Sequence, residues 1–247
     1  MSPTDPLENR LREATRFGQL VRVPVCESTQ DLAFELSGSG IVWADEQQAG
    51  RGRLGRTWHG APGLDLEVTL RIEGLRLDDA ALVASAIPVA IACALDRHAD
   101  RDVRIKWPND LLCTGRKLAG VLIDATGNPP ATFLIGVGVN VNRTSFPAEL
   151  AEKATSLSLC SGSPIDREAV LFDVASAIDR AATALADGDL ARLETEFRER
   201  LGLVGRTVAM RDSQRTLTGT LSEHDLRHAV IEGERVRLAT IRSLARA

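Results

Sequence analysis

The sequence predicts an α+β fold: a mixed sheet with helices over residues 1–202, followed by a small β module over residues 203–247. Three observations predict it. Helix-like and strand-like patterns interleave from residue 7 to residue 98. Four short strand patterns then follow in sequence, VRIKW, DLLC, KLAGVLID and TFLIGVGVNVN. After Gly202 the texture changes to short β-type pieces with no long helix.

Each element has a local reason. Residues 7–17 carry Leu7 and Leu11 on one helical face, and VRVPV (21–25) is strand-like. Cap-forming Ser28 and Thr29 precede the apolar positions Leu32, Ala33 and Leu36, which starts a helix there. IVWADE (41–46) reads as a strand, and the Gly-rich, basic residues 47–63 as a loop. LEVTLRI (66–72) alternates as a strand with one wet face. A long helical pattern covers 78–98, and two more helices are expected near 167–186 and 189–200. The pieces GRTVAMRD, RTLTGTLS, AVIEGE and RVRLATI make up the β module.

Composition narrows the function classes. The 247 residues are 44% hydrophobic and 26% charged, with a net charge of −4, which argues against a globally basic nucleic-acid binder. Cys26, Cys93, Cys113 and Cys160 are scattered, as free thiols in a reducing compartment would be. The N-terminal MSPTDPLENRLREATRF lacks the apolar stretch of a signal peptide, and the most apolar run, Ala80 to Leu95, reads as a buried helix. A cytoplasmic protein that binds neither membrane nor DNA is expected. His224 and His228 stand four apart without the glutamate of H-E-x-x-H, so no metal site is expected.

Four segments carry chemistry. QQAGRGRLGRTW (47–58) holds three glycines and three arginines. Glycines let backbone approach a ligand, and arginines offer planar, permanently charged donors to phosphate or carboxylate. Gly50, Gly52 and Gly55 spell G-x-G-x-x-G, but Gly60, Pro62 and Gly63 follow where a dinucleotide site needs a helix. In KWPNDLL (106–112), Pro108 holds Trp107 extended, and the turn projects Asn109 and Asp110. RKLAGVLID (116–124) opens an apolar strand with Lys117 and places Gly120 three residues on. IGVGVNVN (135–142) puts Gly136 and Gly138 inside an apolar strand, where glycine often marks close approach of a ligand.

Taken with EST-Q at 27–30 and in this order, these segments resemble the biotin–protein ligase family. The resemblance is strongest over residues 20–145. It implies an α/β biotin/lipoate-ligase-type catalytic domain with a small SH3-like β-barrel behind it. Some members carry an N-terminal DNA-binding domain; residues 1–20 leave little room for one, so the expected form lacks it. The implied reaction has two steps. Biotin and ATP give biotinyl-AMP and pyrophosphate, and a lysine of a biotin carboxyl carrier protein then displaces AMP. Mg2+ would travel with the nucleotide, with Asp110 helping to orient it. A homodimer is left open.

The resemblance also assigns residues. Ser28, Thr29, Gln30 and Gln47 would meet the biotin ureido ring. Gly50, Arg51, Gly52 and Arg53 would cover biotin, and Gly120 and Gly136 would line its cavity. Arg56, Trp58, Asn109, Asp110 and Asn140 would face ATP. Lys117 would touch carboxylate and phosphate as the catalytic lysine, with Arg53 also supplying charge to the reacting groups. This sequence departs from the family at Gln30, usually asparagine, and at Asp65 and Glu67, two acids that are expected to point to the other sheet face. The rivals are a lipoate ligase or octanoyl transferase, and a non-catalytic biotin sensor.

Overall fold

The computed structural model describes residues 5–75, 81–127 and 131–247. Residues 78–80 of the helix expected over 78–98 lie outside these.

Helix α1 (Pro6–Ala14) is capped by the Asp5 carboxylate, which accepts from Leu7 N at 2.8 Å, and Pro6 occupies its first turn. It stops short of the expected residue 17 because the Thr15 hydroxyl donates back to Leu11 O at 2.7 Å. Strand β1 (Leu20–Cys26) leads through Ser28, an N-cap, into the short helix α2 (Thr29–Phe34). Then follow β2 (Gly40–Gln47), β3 (Leu66–Leu75) and helix α3 (Ala81–Ala99). The four strands expected next are present as β4 (Arg104–Lys106), β5 (Asp110–Cys113), β6 (Arg116–Thr126) and β7 (Ala131–Val139). A short helix α4 (Leu157–Ser161) had no signal strong enough to be expected. Its Ser156 cap accepts from Leu159 N, and Gly162 ends it in the left-handed region. Helices α5 (Arg167–Asp187) and α6 (Ala191–Leu201) end at Gly188 and Gly202, both left-handed.

These strands form one seven-stranded sheet in the order β1-β2-β3-β7-β6-β5-β4, with β1 and β2 parallel and the remaining pairs antiparallel. Alternation along each strand sorts its two faces. Leu66, Val68, Leu70 and Ile72 of β3 face the same way as Phe133, Ile135, Val137 and Val139 of β7, their register partners. All eight belong to the main core with α3 and α5. The opposite face carries Glu67, Thr69, Gly136, Gly138 and Gly120. Helix α2 covers part of it, burying Ala33 against Val42 and Leu134.

Helix α3 is long and apolar enough to cross a membrane, yet it is largely buried and packs against α5 and α6. It is hydrophobic nearly all round because it is enclosed all round.

The C-terminal residues form a second, antiparallel sheet, ordered β11-β10-β9-β8-β12, from β8 (Thr207–Arg211), β9 (Thr216–His224), β10 (His228–Ile231), β11 (Glu234–Arg237) and β12 (Ser243–Arg246). The expected strand RVRLATI breaks at Arg237. Leu238 and Ile241 turn inward to be buried, Leu238 N bonds to Arg227 O, and the chain re-enters the sheet one strand later as β12 beside β8. Val208, Leu221, Leu226 and Leu244 join the same hydrophobic cluster as the larger sheet.

Candidate active site

The glycines of β6 and β7 create the floor. Gly120 and Gly138 are register partners, so the sheet has no side chains at that spot. The Trp58 indole lies there: a methyl on Gly138 would overlap the ring, and one on Gly120 would stand 3.3 Å from it. Gly136, one pleat along, lets Gln30 approach; a methyl there would be 3.2 Å from Gln30 Oε1.

Residues 50–58 are not an open loop but a small hairpin. Trp58 N donates to Gly50 O at 2.8 Å and Gly52 N to Arg56 O at 2.7 Å, while Arg51 bridges Thr57. The tip, Arg53–Gly55, is a single tight turn with Leu54 (φ 58°) and Gly55 (φ 72°) left-handed. Alternating glycine and arginine predicts a loop, because no run of apolar alternation marks so short a ladder. Gly50 is required by its neighbour, since a methyl would sit 2.8 Å from Trp58 O. The exit of the hairpin is fixed by a buried ion pair, Asp65 with Arg143, 2.5 Å apart. Asp65 also accepts from Ala61 N and Val141 N, and Arg143 donates to His59 O. Burial pushes the Asp65 carboxyl up, and Arg143 with the two backbone donors opposes that shift.

Beneath the hairpin is a cavity of about 320 Å3. It brings together nearly every residue expected at the site: Ser28, Thr29, Gln30 and Gln47 at one end, Arg51, Gly52, Arg53, Arg56 and Trp58 above, and Asn109, Asp110, Lys117, Gly120 and Gly136 along the floor and far end. Two expected residues are elsewhere. Gly50 lines a larger, adjoining cavity of about 740 Å3 that shares Arg51, Gly52, Arg53, Arg56 and Asn109 with the first. Asn140 is buried and spends its amide on Thr155 O (2.9 Å) and Lys117 O (3.4 Å). It steadies the backbone that carries Lys117 instead of facing the cavity.

The two ends differ in chemistry. At one, Thr29 N and Oγ1 donate to Gln47 Oε1 at 2.8 and 3.0 Å, and the Thr29 and Thr69 hydroxyls are 2.8 Å apart. Gln47 Nε2 donates to Glu67 Oε2 at 3.1 Å. Gln30 Nε2 donates to Asp124 at 2.9 Å, while its Oε1 is buried without a partner. At the other end Lys117 Nζ stands 2.5 Å from Asp110 and 5.7 Å from the Trp58 ring centre. Lys117 is only half-exposed, and its backbone is pinned on both sides by Lys153 O and Thr155 N. Asn109 Nδ2 holds Val121 O at 3.0 Å, which fixes the turn bearing Asp110; that turn contains a cis Trp107–Pro108 peptide. Partial burial lowers the pKa of the Arg53 guanidinium, with the Asp110 carboxylate acting the other way. Arginine remains charged throughout.

Glu67 does not point to the other sheet face, as was expected. Its strand parity puts it beside Thr69 on the cavity face, where Gln47 satisfies it. Several lining residues were not anticipated. Thr69 was legible in principle, since LEVTLRI alternates and places it on the wet face. So was Lys106, the first residue of KWPNDLL; Arg242 and Ser243 were not, because they come from the C-terminal β module and reach the cavity only through its docking.

The comparisons accord with this geometry. Residues 23–142 match the model of the Biotin/lipoate A/B protein ligase family. The chain is 32% identical to the biotin–[acetyl-CoA-carboxylase] ligase of Paracoccus denitrificans over 202 residues, 79% of this chain and 82% of that protein. It is 36% identical to the bifunctional ligase/repressor BirA of Bacillus subtilis over 162 residues, 62% of this chain and 50% of that protein; it spans about half the length of the BirA proteins it matches. Its fold is similar to that of the biotin protein ligase from Aquifex aeolicus solved with biotin and ATP, with TM-score 0.82, 24% identity, and coverage of 94% of this chain and 100% of that one.

Proposed function

The chain belongs to the Biotin/lipoate A/B protein ligase family, and from that premise we propose that it activates biotin with ATP and transfers it to a lysine of a biotin carboxyl carrier protein. The observation that carries the reading is the polarity of the cavity. A neutral hydrogen-bonding end, Ser28, Thr29 and Gln47, suits a small uncharged ring. A cationic end, Lys117 with Arg53 and Arg56, suits a carboxylate meeting a phosphate. A ligand with a neutral head and an anionic tail spans both.

In the first step a carboxylate oxygen of biotin attacks the α-phosphorus of ATP; the P–O bond to pyrophosphate breaks, leaving biotinyl-AMP. Two anions must approach, so fixed cations that oppose their repulsion lower the barrier. Lys117 is placed for this: its ammonium is already oriented by Asp110, and its backbone is held by Asn140 and the 153–155 segment. In the second step the carrier's lysine amine attacks the acyl carbon, AMP leaves, and an amide forms. The hairpin covers the mixed anhydride against water between the steps. Mg2+ would come with the nucleotide phosphates. The carboxylate beside Lys117, Asp110, is engaged by the ammonium, so a cation there would rest mainly on phosphate oxygens.

The small β module we read as SH3-like, behind a catalytic unit ending near residue 202. A reducing, cytoplasmic setting is supported by four free thiols. The Asp110-oriented Lys117 supports catalysis over a sensor role.

ATP–pyrophosphate exchange without carrier tests the reading. Exchange with biotin, and none with lipoate or octanoate, is the expected result. Exchange with lipoate or octanoate alone moves the substrate to the other branch of the family, and biotin binding without exchange makes the chain a sensor.

A further inference from the structure

Asp65 is a departure from the family, and neither step of the reaction touches it. It is buried, as is its ion-pair partner Arg143 just beyond β7. Taking two charges out of water is costly, and such a pair is seldom more stable than apolar side chains of the same size. What the pair holds therefore matters more than its own attraction. Both oxygens of Asp65 are used. Oδ2 accepts from Ala61 N at 2.8 Å and from Arg143 Nε at 2.5 Å. Oδ1 accepts from Val141 N at 3.2 Å. Arg143 also donates through Nη2 to His59 O.

These bonds reach two places that serve different ends. His59 and Ala61 lie just past Trp58, where the hairpin leaves the cavity. Val141 follows Asn140, whose amide donates to Lys117 O and Thr155 O. Arg143 O accepts from Ser156 Oγ at 2.6 Å, and the neighbouring Thr155 N donates to Lys117 O at 2.9 Å. One buried pair thus stands between the cover of the cavity and the backbone that pins the lysine.

We propose that Asp65 and Arg143 are positioning residues with divided duties: Arg143 seats the covering hairpin through His59 O, and Asp65 fixes Val141 and, through Asn140, the backbone of Lys117. Both duties presuppose the biotin-activating reaction proposed above. Two conservative substitutions separate them. Arg143→Lys keeps a cation for Asp65 but lacks the planar fork, so the reach to His59 O is lost. Asp65→Asn keeps the shape but has one acceptor oxygen in place of two. That oxygen can serve Ala61 N and Arg143 Nε together, which leaves the amide NH2 facing the N–H of Val141, donor against donor.

The test compares the whole chain with both variants in two measurements. One is ATP–pyrophosphate exchange at saturating biotin and ATP. The other is the lifetime of enzyme-bound biotinyl-AMP after rapid removal of free ligand. R143K should exchange within about twofold of wild type but lose the intermediate about tenfold sooner. D65N should exchange about tenfold more slowly, with KM for biotin within about twofold of wild type and the intermediate held as long. A pair that served the fold alone would lower the melting temperature and depress both quantities by the same factor. Equal losses in the two measurements, the reverse assignment, or wild-type values in both variants overturn the inference. If loss of the counter-charge unfolds D65N, R143K decides alone: normal exchange with a shortened lifetime upholds the inference, and any other result overturns it. No exchange in wild type overturns the functional reading first, and this one with it.

Discussion

Lys117 opens an apolar strand, and its ammonium is held at the cavity rim by Asp110 at 2.5 Å, with the Trp58 ring on one side. A half-exposed ion pair of this kind adds little stability, so its worth is in orientation. Replacing Lys117 by alanine should leave the melting temperature within a degree or two. The same change should lower the rate of adenylate formation by roughly a hundred- to a thousandfold, as loss of one oriented donor does elsewhere. Pyrophosphate exchange at saturating biotin and ATP checks this; an undiminished rate removes Lys117 from the chemistry. Glu67 and Asp65 belong to the same scale but differ in kind: both are buried, and each is satisfied by designated partners, Gln47 for one and Arg143 with two backbone amides for the other.

At the scale of elements, the hairpin over residues 50–58 is tied to the sheet at its base and at its exit. Trp58 rests on the glycine floor at its base, and the Asp65–Arg143 pair holds its exit. Leu54 at its tip is exposed, and Arg51 is paired with the exposed Asp31. Gly138→Ala would drive the indole off the floor and loosen the hairpin without touching a charged group. Trypsin should then cut at Arg51, Arg53 or Arg56 several times faster than in wild type, with overall melting little changed. Equal cleavage rates would show that the hairpin does not depend on that seat. Arg53→Gly acts at the same element through the ligand. Activation should persist, but biotinyl-AMP should escape sooner, which is read as label on bystander lysines or as a shorter lifetime of the enzyme-bound intermediate. An unchanged lifetime counts against the covering role.

For the whole molecule, the telling feature is how the second sheet is joined to the first. Trp107, at the cavity, donates through Nε1 to Ile241 O at 3.1 Å, and its ring is 5.8 Å from that of Phe197 on α6. Phe197 in turn meets His224 of β9 edge-on at 4.8 Å. This aromatic row and the shared hydrophobic cluster hold Arg242 and Ser243 against the site. His224 is 3% exposed with neither ring nitrogen partnered, and burial, aided by Arg198, pushes its pKa down to about 4. The unfolded chain binds a proton near pH 6.5 that the folded one refuses, so stability is full above pH 6.5 and falls as pH drops toward 4. That single group accounts for on the order of 3 kcal/mol across the window. His224→Leu, similar in size and with nothing to protonate, should flatten the acid limb of the melting-temperature curve. An acid limb as steep as wild type would place the titration elsewhere.

By itself, the sequence determined the order of elements over residues 20–202, apart from α4 and the 50–58 hairpin, and it named fourteen of the residues that line the cavity. Both are local properties: alternation and helical spacing mark the faces, and glycine, arginine and proline stand where backbone must approach, charge must concentrate or a turn must form. Only the tertiary structure decided what those residues do once side by side. Asn140 looked like a ligand contact until Lys117 O and Thr155 O took its amide. Glu67 looked misplaced until β2 brought Gln47 to it, and Arg242 had no local mark at all because a separate sheet delivers it. The break in RVRLATI followed from Leu238 and Ile241 being buried in a shared core. Partners distant in the chain supply the hydrogen bonds and the burial that fix such roles, and no pattern of neighbours encodes them.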